Sequence, residues 1–108
     1  MKASVLKGHL DGMLLAALEP KPRHGYAIGR ELHRRSGGAL DLPTGTIYPA
    51  LHRLERAGLV AGEWERAGGR RRRVYTLTRS GHRALEHERR SWDEFHTVVA
   101  SVMAGPAP

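Results

Sequence analysis

The stretch that most constrains this chain, Pro43 to Gly58, Pro-Thr-Gly-Thr-Ile-Tyr-Pro-Ala-Leu-His-Arg-Leu-Glu-Arg-Ala-Gly, reads as one amphipathic helix with both ends marked. A hydroxyl at Thr44 or Thr46 can accept a hydrogen bond from a first-turn amide that has no partner inside the helix. Gly58 supplies the left-handed residue that stops it. The choice of cap decides what Pro49 costs: nothing if Thr46 caps, one early hydrogen bond if Thr44 does. At about 3.6 residues per turn, Ile47, Ala50, Leu51, Leu54 and Ala57 share the side to be buried, and Leu59 and Val60 continue it past the glycine. The opposite side carries Gly45, Tyr48, Pro49, His52 and Arg56, with Arg53 at its margin and Glu55 nearer the core edge. It presents donors, cations and an aromatic ring but no carboxylate. Such a face suits a polyanion, and the helix N-terminus adds partial positive charge; the alternative is an ordinary solvated surface.

Two shorter helices are predicted ahead of it. After a lead-in in which Val5 and Leu6 can cover apolar surface, Leu10, Met13, Leu14, Ala17 and Leu18 form a wide apolar face that Pro20 and Pro22 terminate. Ile28 and Leu32, spaced i, i+4 and joined by Tyr26 or Ala27, mark a second helix closed by Gly37 or Gly38, with Arg30, Arg34 and Arg35 outward. Gly25 and Gly29 lie four apart on one side of it, which permits another backbone to approach closely. Ala39 to Leu42 is a short extended connector.

Beyond Gly58 the period changes from helical to alternating. Val60 and Trp64 share one face and Tyr75 and Leu77 another, predicting a hairpin with Trp64 and Tyr75 as its core and Gly68-Gly69 as its tip. The tip and returning strand carry Arg66, Arg70, Arg71, Arg72 and Arg73, a density that repels itself unless it meets an anion. The formal net charge is +7 and only three of the 18 cations are lysine, leaving arginine, the side chain suited to forked phosphate contacts, as the rest. The excess is concentrated in the middle: 14 basic against 5 acidic residues from Lys21 to Arg83, 4 against 6 elsewhere. This is the charge footprint of a nucleic-acid-binding chain.

Thr78 caps a last helix with Gly81 in its first turn. Its apolar residues fall at Leu85, Trp92, Phe95, Val99 and Val102, heptad-like except at Glu88, with Met103 beside the stripe. A domain this small has little surface on which to bury such a helix. A partner helix is therefore expected, most simply the same helix of a second copy.

Three helices, the third with a basic polar face, followed by an Arg-tipped hairpin describe a winged helix-turn-helix, mostly α with a small β-hairpin (α+β). The residues also resemble the PadR family of bacterial transcription regulators, in its short subgroup with one C-terminal helix. The matching motifs are Leu6-Lys7-Gly8 before Leu10-Asp11, His24-Gly25-Tyr26, the run from Gly45 to Glu55, Gly58-Leu59-Val60, Arg72 to Thr78, and Gly81. Many members have proline where Thr44 stands and an aromatic where Val74 stands. The resemblance implies a homodimer, usually a repressor, whose two recognition helices enter successive major grooves of a pseudo-palindromic double-stranded DNA operator while the wings grip flanking backbone.

On that footing the expected DNA-binding residues are Thr44, Gly45, Thr46, Tyr48, Pro49, His52 and Arg53 on the recognition helix and Arg66 and Arg70 to Arg73 on the wing. Tyr48 and His52 are the candidates for base edges, and the arginines for phosphates. Leu85, Trp92, Phe95, Val99, Val102 and Met103 are expected to make the dimer. Trp92 and Phe95 serve either as dimer core alone or also as the wall of a pocket for a flat lipophilic or aromatic effector, as in some family members. Residues 1–78 are expected to form the winged helix-turn-helix, 79–104 the dimerisation helix packed as part of the same domain, and 105–108 a disordered tail.

Other chemistries find little support. Without cysteine there is no disulfide or thiolate metal site, and a reducing cytoplasm is the expected setting. The apolar start is broken by Lys7, His9 and Asp11, unlike a signal peptide, and the longest apolar run, Met13 to Leu18, is too short for a bilayer. No two of the seven histidines stand i, i+4, so no metal is expected. No serine sits in a nucleophile setting and no Gly-rich loop follows a strand, so no cofactor and no enzyme activity are expected. The remaining alternative is a non-specific or architectural nucleic-acid-binding protein.

Overall fold

The computed structural model describes residues 1, 6 and 8–106; the expectations placed on Val5, Lys7, Ala107 and Pro108 lie outside them. The elements run α1 (Leu10–Leu18), β1 (Arg23–His24), α2 (Gly25–Arg35), α3 (Thr44–Arg56), β2 (Val60–Ala67), β3 (Arg70–Leu77) and α4 (Arg79–Met103). Leu14, Leu15, Ala17 and Leu18 of α1 meet Ile28 and Leu32 of α2 and Ile47, Ala50, Leu51 and Leu54 of α3 in one core, which Val60, Tyr75, Leu77 and Leu85 close from the other side. Leu6 and Leu40 also join it.

The start of α3 differs from both predicted caps. Neither Thr44 nor Thr46 caps the helix; Pro43, already extended at ψ 155°, precedes the first helical residue, and its carbonyl accepts from the amides of Thr46 (2.9 Å) and Ile47 (3.1 Å). Pro49 therefore sits inside the helix and removes one hydrogen bond. The other end follows the prediction. Gly58 has φ +77°, its amide bonds to the Glu55 carbonyl and that of Leu59 to the Leu54 carbonyl, each at 3.0 Å, which is a Schellman closure. Ala57 is exposed rather than buried, because it is the C-cap and the chain has already turned away.

Three further expectations need correction. Tyr26 is exposed at the start of α2, so Ile28 and Leu32 alone carry that helix's core contact. Gly25 and Gly29 admit side chains of α3 rather than a backbone: a Cβ on Gly25 would lie 2.5 Å from the Tyr48 ring, and one on Gly29 2.9 Å from Ile47 Cδ1. Arg34 and Arg35 do not simply face outward. They converge with Arg23 on the buried Glu31 carboxylate, while Arg23 and Arg35 also donate to the Ala17 and Ala16 carbonyls. A single acid thus ties α2 to β1 and to the end of α1.

β2 and β3 pair antiparallel from Val60↔Leu77 to Ala67↔Arg70 around the two-residue turn Gly68-Gly69, whose φ values of +59° and +78° suit that tight connection. One face of the ribbon runs Val60, Gly62, Trp64 on β2 and Leu77, Tyr75, Arg73 on β3. Its base is core, but the ribbon outreaches the helices, so Trp64 is 58% exposed rather than the core residue expected. β1 makes a third strand against β3, Arg23↔Tyr75 and His24↔Val74. Two residues between a proline and a helix are too few for periodicity to reveal them.

The Thr78 side chain accepts from the Gly81 amide at 3.0 Å, capping α4, and donates to the Gly58 carbonyl at 2.6 Å. Gly81 is buried so closely that a Cβ there would lie 2.0 Å from the Leu59 carbonyl oxygen. The helix then crosses α1, where Arg89 forms a bidentate pair with Glu19 at 2.9 and 2.8 Å. Beyond Leu85 no side chain of α4 is buried. Its outer half extends the molecule to 64 Å, against 28 and 22 Å in the other directions.

Candidate nucleic-acid interface

Burying Ile47, Ala50, Leu51 and Leu54 obliges α3 to expose the residues between them, and Gly45, Tyr48, Pro49, His52, Arg53 and Arg56 all face solvent, with Thr44 exposed and Thr46 partly so. The Tyr48 ring rests on Gly25 of α2 with 36% of its surface open. Its orientation is fixed by packing rather than by a polar partner. Arg53 leaves this face: it pairs with Asp11 of α1 at 2.5 Å.

The wing stands beside α3 and its arginines have different employments. Arg73 turns inward to Glu55, Nη2 at 2.6 Å, and the same carboxylate accepts from the Gly62 amide at 3.1 Å, so the base of the wing is bolted to α3. Arg71 lies over the Trp64 ring at 4.6 Å, with Arg73 at 5.5 Å. Arg72 approaches His24 Nε2 at 3.2 Å. Arg66 and Arg70 have no ion pair among the described residues and flank the Gly68-Gly69 tip. Arg53 and Arg73 are therefore committed to carboxylates, whereas Arg66, Arg70, Arg71 and Arg72 remain available to an external anion.

Besides Trp64, three residues outside the predicted binding set complete the surface. His24, Tyr26 and Arg30 at the start of α2 join Tyr48, Trp64 and Arg71 to Arg73 around an open cleft of about 510 Å³. His24 Nδ1 accepts from the Ala27 amide at 3.4 Å, capping α2; its ring stacks parallel to Tyr26, over which Arg30 lies at 5.8 Å. Burial, then the Arg72 cation, hold the His24 pKa below its ordinary 6.5, with Glu65 opposing them and Arg30 adding the smallest push. A sequence signal for this group existed, since an acceptor directly before a helix start reads as a cap, but nothing local indicates that the wing returns to it.

None of the predicted dimer residues forms part of this surface. Trp92, Phe95, Val99, Val102 and Met103 line the free half of α4 with Val98, Trp92 lying edge-on to His9 at 5.6 Å and 6.1 Å from Phe95. Leu85 belongs to the monomer's own core. Among the described residues no helix is long and apolar enough to cross a membrane.

A helix held across two others, its outer face free of acid and flanked by an arginine-bearing ribbon, defines a DNA-binding protein of the winged helix-turn-helix class. Within that class the chain belongs to the PadR-like family of transcriptional regulators, whose model matches residues 14–87. It is 42% identical to the transcriptional regulator Rv3488 of Mycobacterium tuberculosis over 76 residues, 70% of this chain and 68% of that one. Solved structures agree: a PadR-like transcriptional regulator from Bacillus cereus superposes with a TM-score of 0.82 at 28% identity, covering 96% of this chain and 100% of that one. A PadR family regulator from Eggerthella lenta gives 0.83 at 28% identity, covering 95% and 88%. The protein is a regulator and not an enzyme.

Proposed function

We propose that this protein is a sequence-specific repressor that binds a pseudo-palindromic operator as a homodimer, with residues 1–78 reading DNA and the helix that follows pairing two copies. The observation that carries this reading is the acid-free outer face of α3, with Tyr48 and His52 one turn apart on it, beside a wing whose four available arginines can neutralise phosphates. Thr44, Gly45, Thr46 and Pro49 form the part of α3 that approaches the DNA backbone. Dimerisation is supported by the exposed apolar residues on the free half of α4, of which Phe95 is 56% and Val102 73% exposed. A planar lipophilic effector wedged beside Trp92 and Phe95 would change the angle between protomers and so the spacing of the recognition helices. That arm is tested by quenching of tryptophan fluorescence with planar hydrophobes, which must vanish in Trp92→Ala and persist in Trp64→Ala.

The deciding experiment is fluorescence anisotropy on a duplex from upstream of the protein's own coding sequence and on a scrambled duplex, over a salt series. A specific site keeps an advantage of about a thousandfold or more at physiological salt. His52→Ala, and Tyr48→Phe, which keeps the ring on Gly25, should each erode it by about tenfold. Equal binding to both duplexes with the same salt slope would favour the architectural alternative.

A further inference from the structure

Two donors face the His24 ring, and a neutral imidazole can accept from only one. The Ala27 amide points at Nδ1, and the Arg72 guanidinium, which is always charged, points at Nε2. Protonating the ring would remove its one acceptor, and burial, then Arg72, oppose it, with Glu65 pulling the other way and Arg30 adding a smaller push. In the tautomer that keeps this cap, Nδ1 is the acceptor and the ring's proton sits on Nε2. Nε2–H and the Arg72 guanidinium then face one another as donors 3.2 Å apart.

That arrangement lacks an acceptor, and its surroundings specify which kind. The cleft around it is lined by His24, three further aromatic side chains and four arginines, and by no carboxylate. Glu65, the nearest acid across the hairpin from Arg72, makes no ion pair with it. An oxyanion placed between the two donors would convert a repulsive pair into two charge-assisted hydrogen bonds.

We propose that His24 and Arg72 together hold one backbone phosphate of bound DNA, in the cleft between the start of α2 and the wing. The contact sets the position of the wing against the recognition helix and carries no base information. It rests on the DNA-binding reading but not on any operator. It is therefore measured on the scrambled duplex, where it must appear even if specific repression does not.

His24→Asn is the informative variant, because asparagine at the cap can still accept from the Ala27 amide while losing the outward N–H. Its melting temperature should match the wild type. His24→Asn and Arg72→Ala should each weaken binding to scrambled and upstream duplexes alike by about tenfold, and the double variant scarcely more than either. Arg72→Ala should reduce the salt slope by about 0.9, and His24→Asn, which removes no charge, should leave it unchanged. Single methylphosphonate substitutions along the duplex should reveal one position at which wild-type binding falls and both variants are indifferent. Additive losses, or sensitivity of the two variants to different phosphates, would overturn the proposal. Nitrogen-15 spectra of the His24 ring supply a second check: the proton must reside on Nε2 in the free protein and shift on adding duplex. A proton on Nδ1 would sink the idea, and so would an equal shift from inorganic phosphate at physiological concentration, which would assign the pair to free oxyanions.

Discussion

Tyr48 is held by what Gly25 lacks. With a Cβ on residue 25 at 2.5 Å from the ring, Gly25→Ala must rotate Tyr48 outward. The ring is partly exposed and can move, so the change in melting temperature should be small while affinity for a specific duplex falls by about tenfold or more. A large loss of stability with unchanged binding would contradict this account. Glu31 poses the reverse case, a buried side chain of purely structural consequence. Hydrogen bonds from Arg34 and then Arg35, with Arg23 beside them, lower its pKa from 4.5 to about 2. The folded state therefore binds this proton more weakly than the unfolded state. Its contribution to stability is complete above about pH 4.5 and is lost as pH falls from there toward 2. Acid titration of the melting temperature should show a decline in that window that Glu31→Gln flattens. The carboxylate was plain in the sequence and Arg34 and Arg35 stand at helical spacing from it, but the third partner, Arg23, comes from β1 and could not be paired by spacing.

Among the elements, α4 depends on its first turn. Thr78→Ala removes the acceptor for the Gly81 amide and should cost about 1 kcal/mol. Gly81→Ala should cost more, about 3 kcal/mol, because the new Cβ would meet the Leu59 carbonyl at 2.0 Å and a main-chain oxygen cannot step aside. Denaturant melts of the two variants check the order; if Thr78→Ala is the worse, the close approach is not what seats the helix. The cap, the Gly58 stop and the hairpin were legible because each is local chemistry. The Pro43 start of α3 and the short β1 were not, since both depend on where the neighbouring chain lies.

For the molecule as a whole, the free half of α4 sets the behaviour expected in solution. Phe95→Asp combined with Val102→Asp places charges on an exposed face, so the monomer's fold should persist by circular dichroism. Sedimentation should change from dimer to monomer at micromolar concentration, and affinity for a two-half-site duplex should fall to that for one half-site. A double variant that still sediments as a dimer would remove α4 from the interface.

The helices, the hairpin, the basic middle and the family can be read along the chain, because periodicity, caps and motif order are properties of residues that are neighbours in it. How each charge and ring is employed emerges with the packing of the elements. That packing draws Arg53 to Asp11 and Arg73 to Glu55, carries Trp64 out of the core, and brings His24 against Arg72 across 48 residues of chain. Those outcomes depend on distances between elements, which packing of the shared core sets and no local pattern encodes.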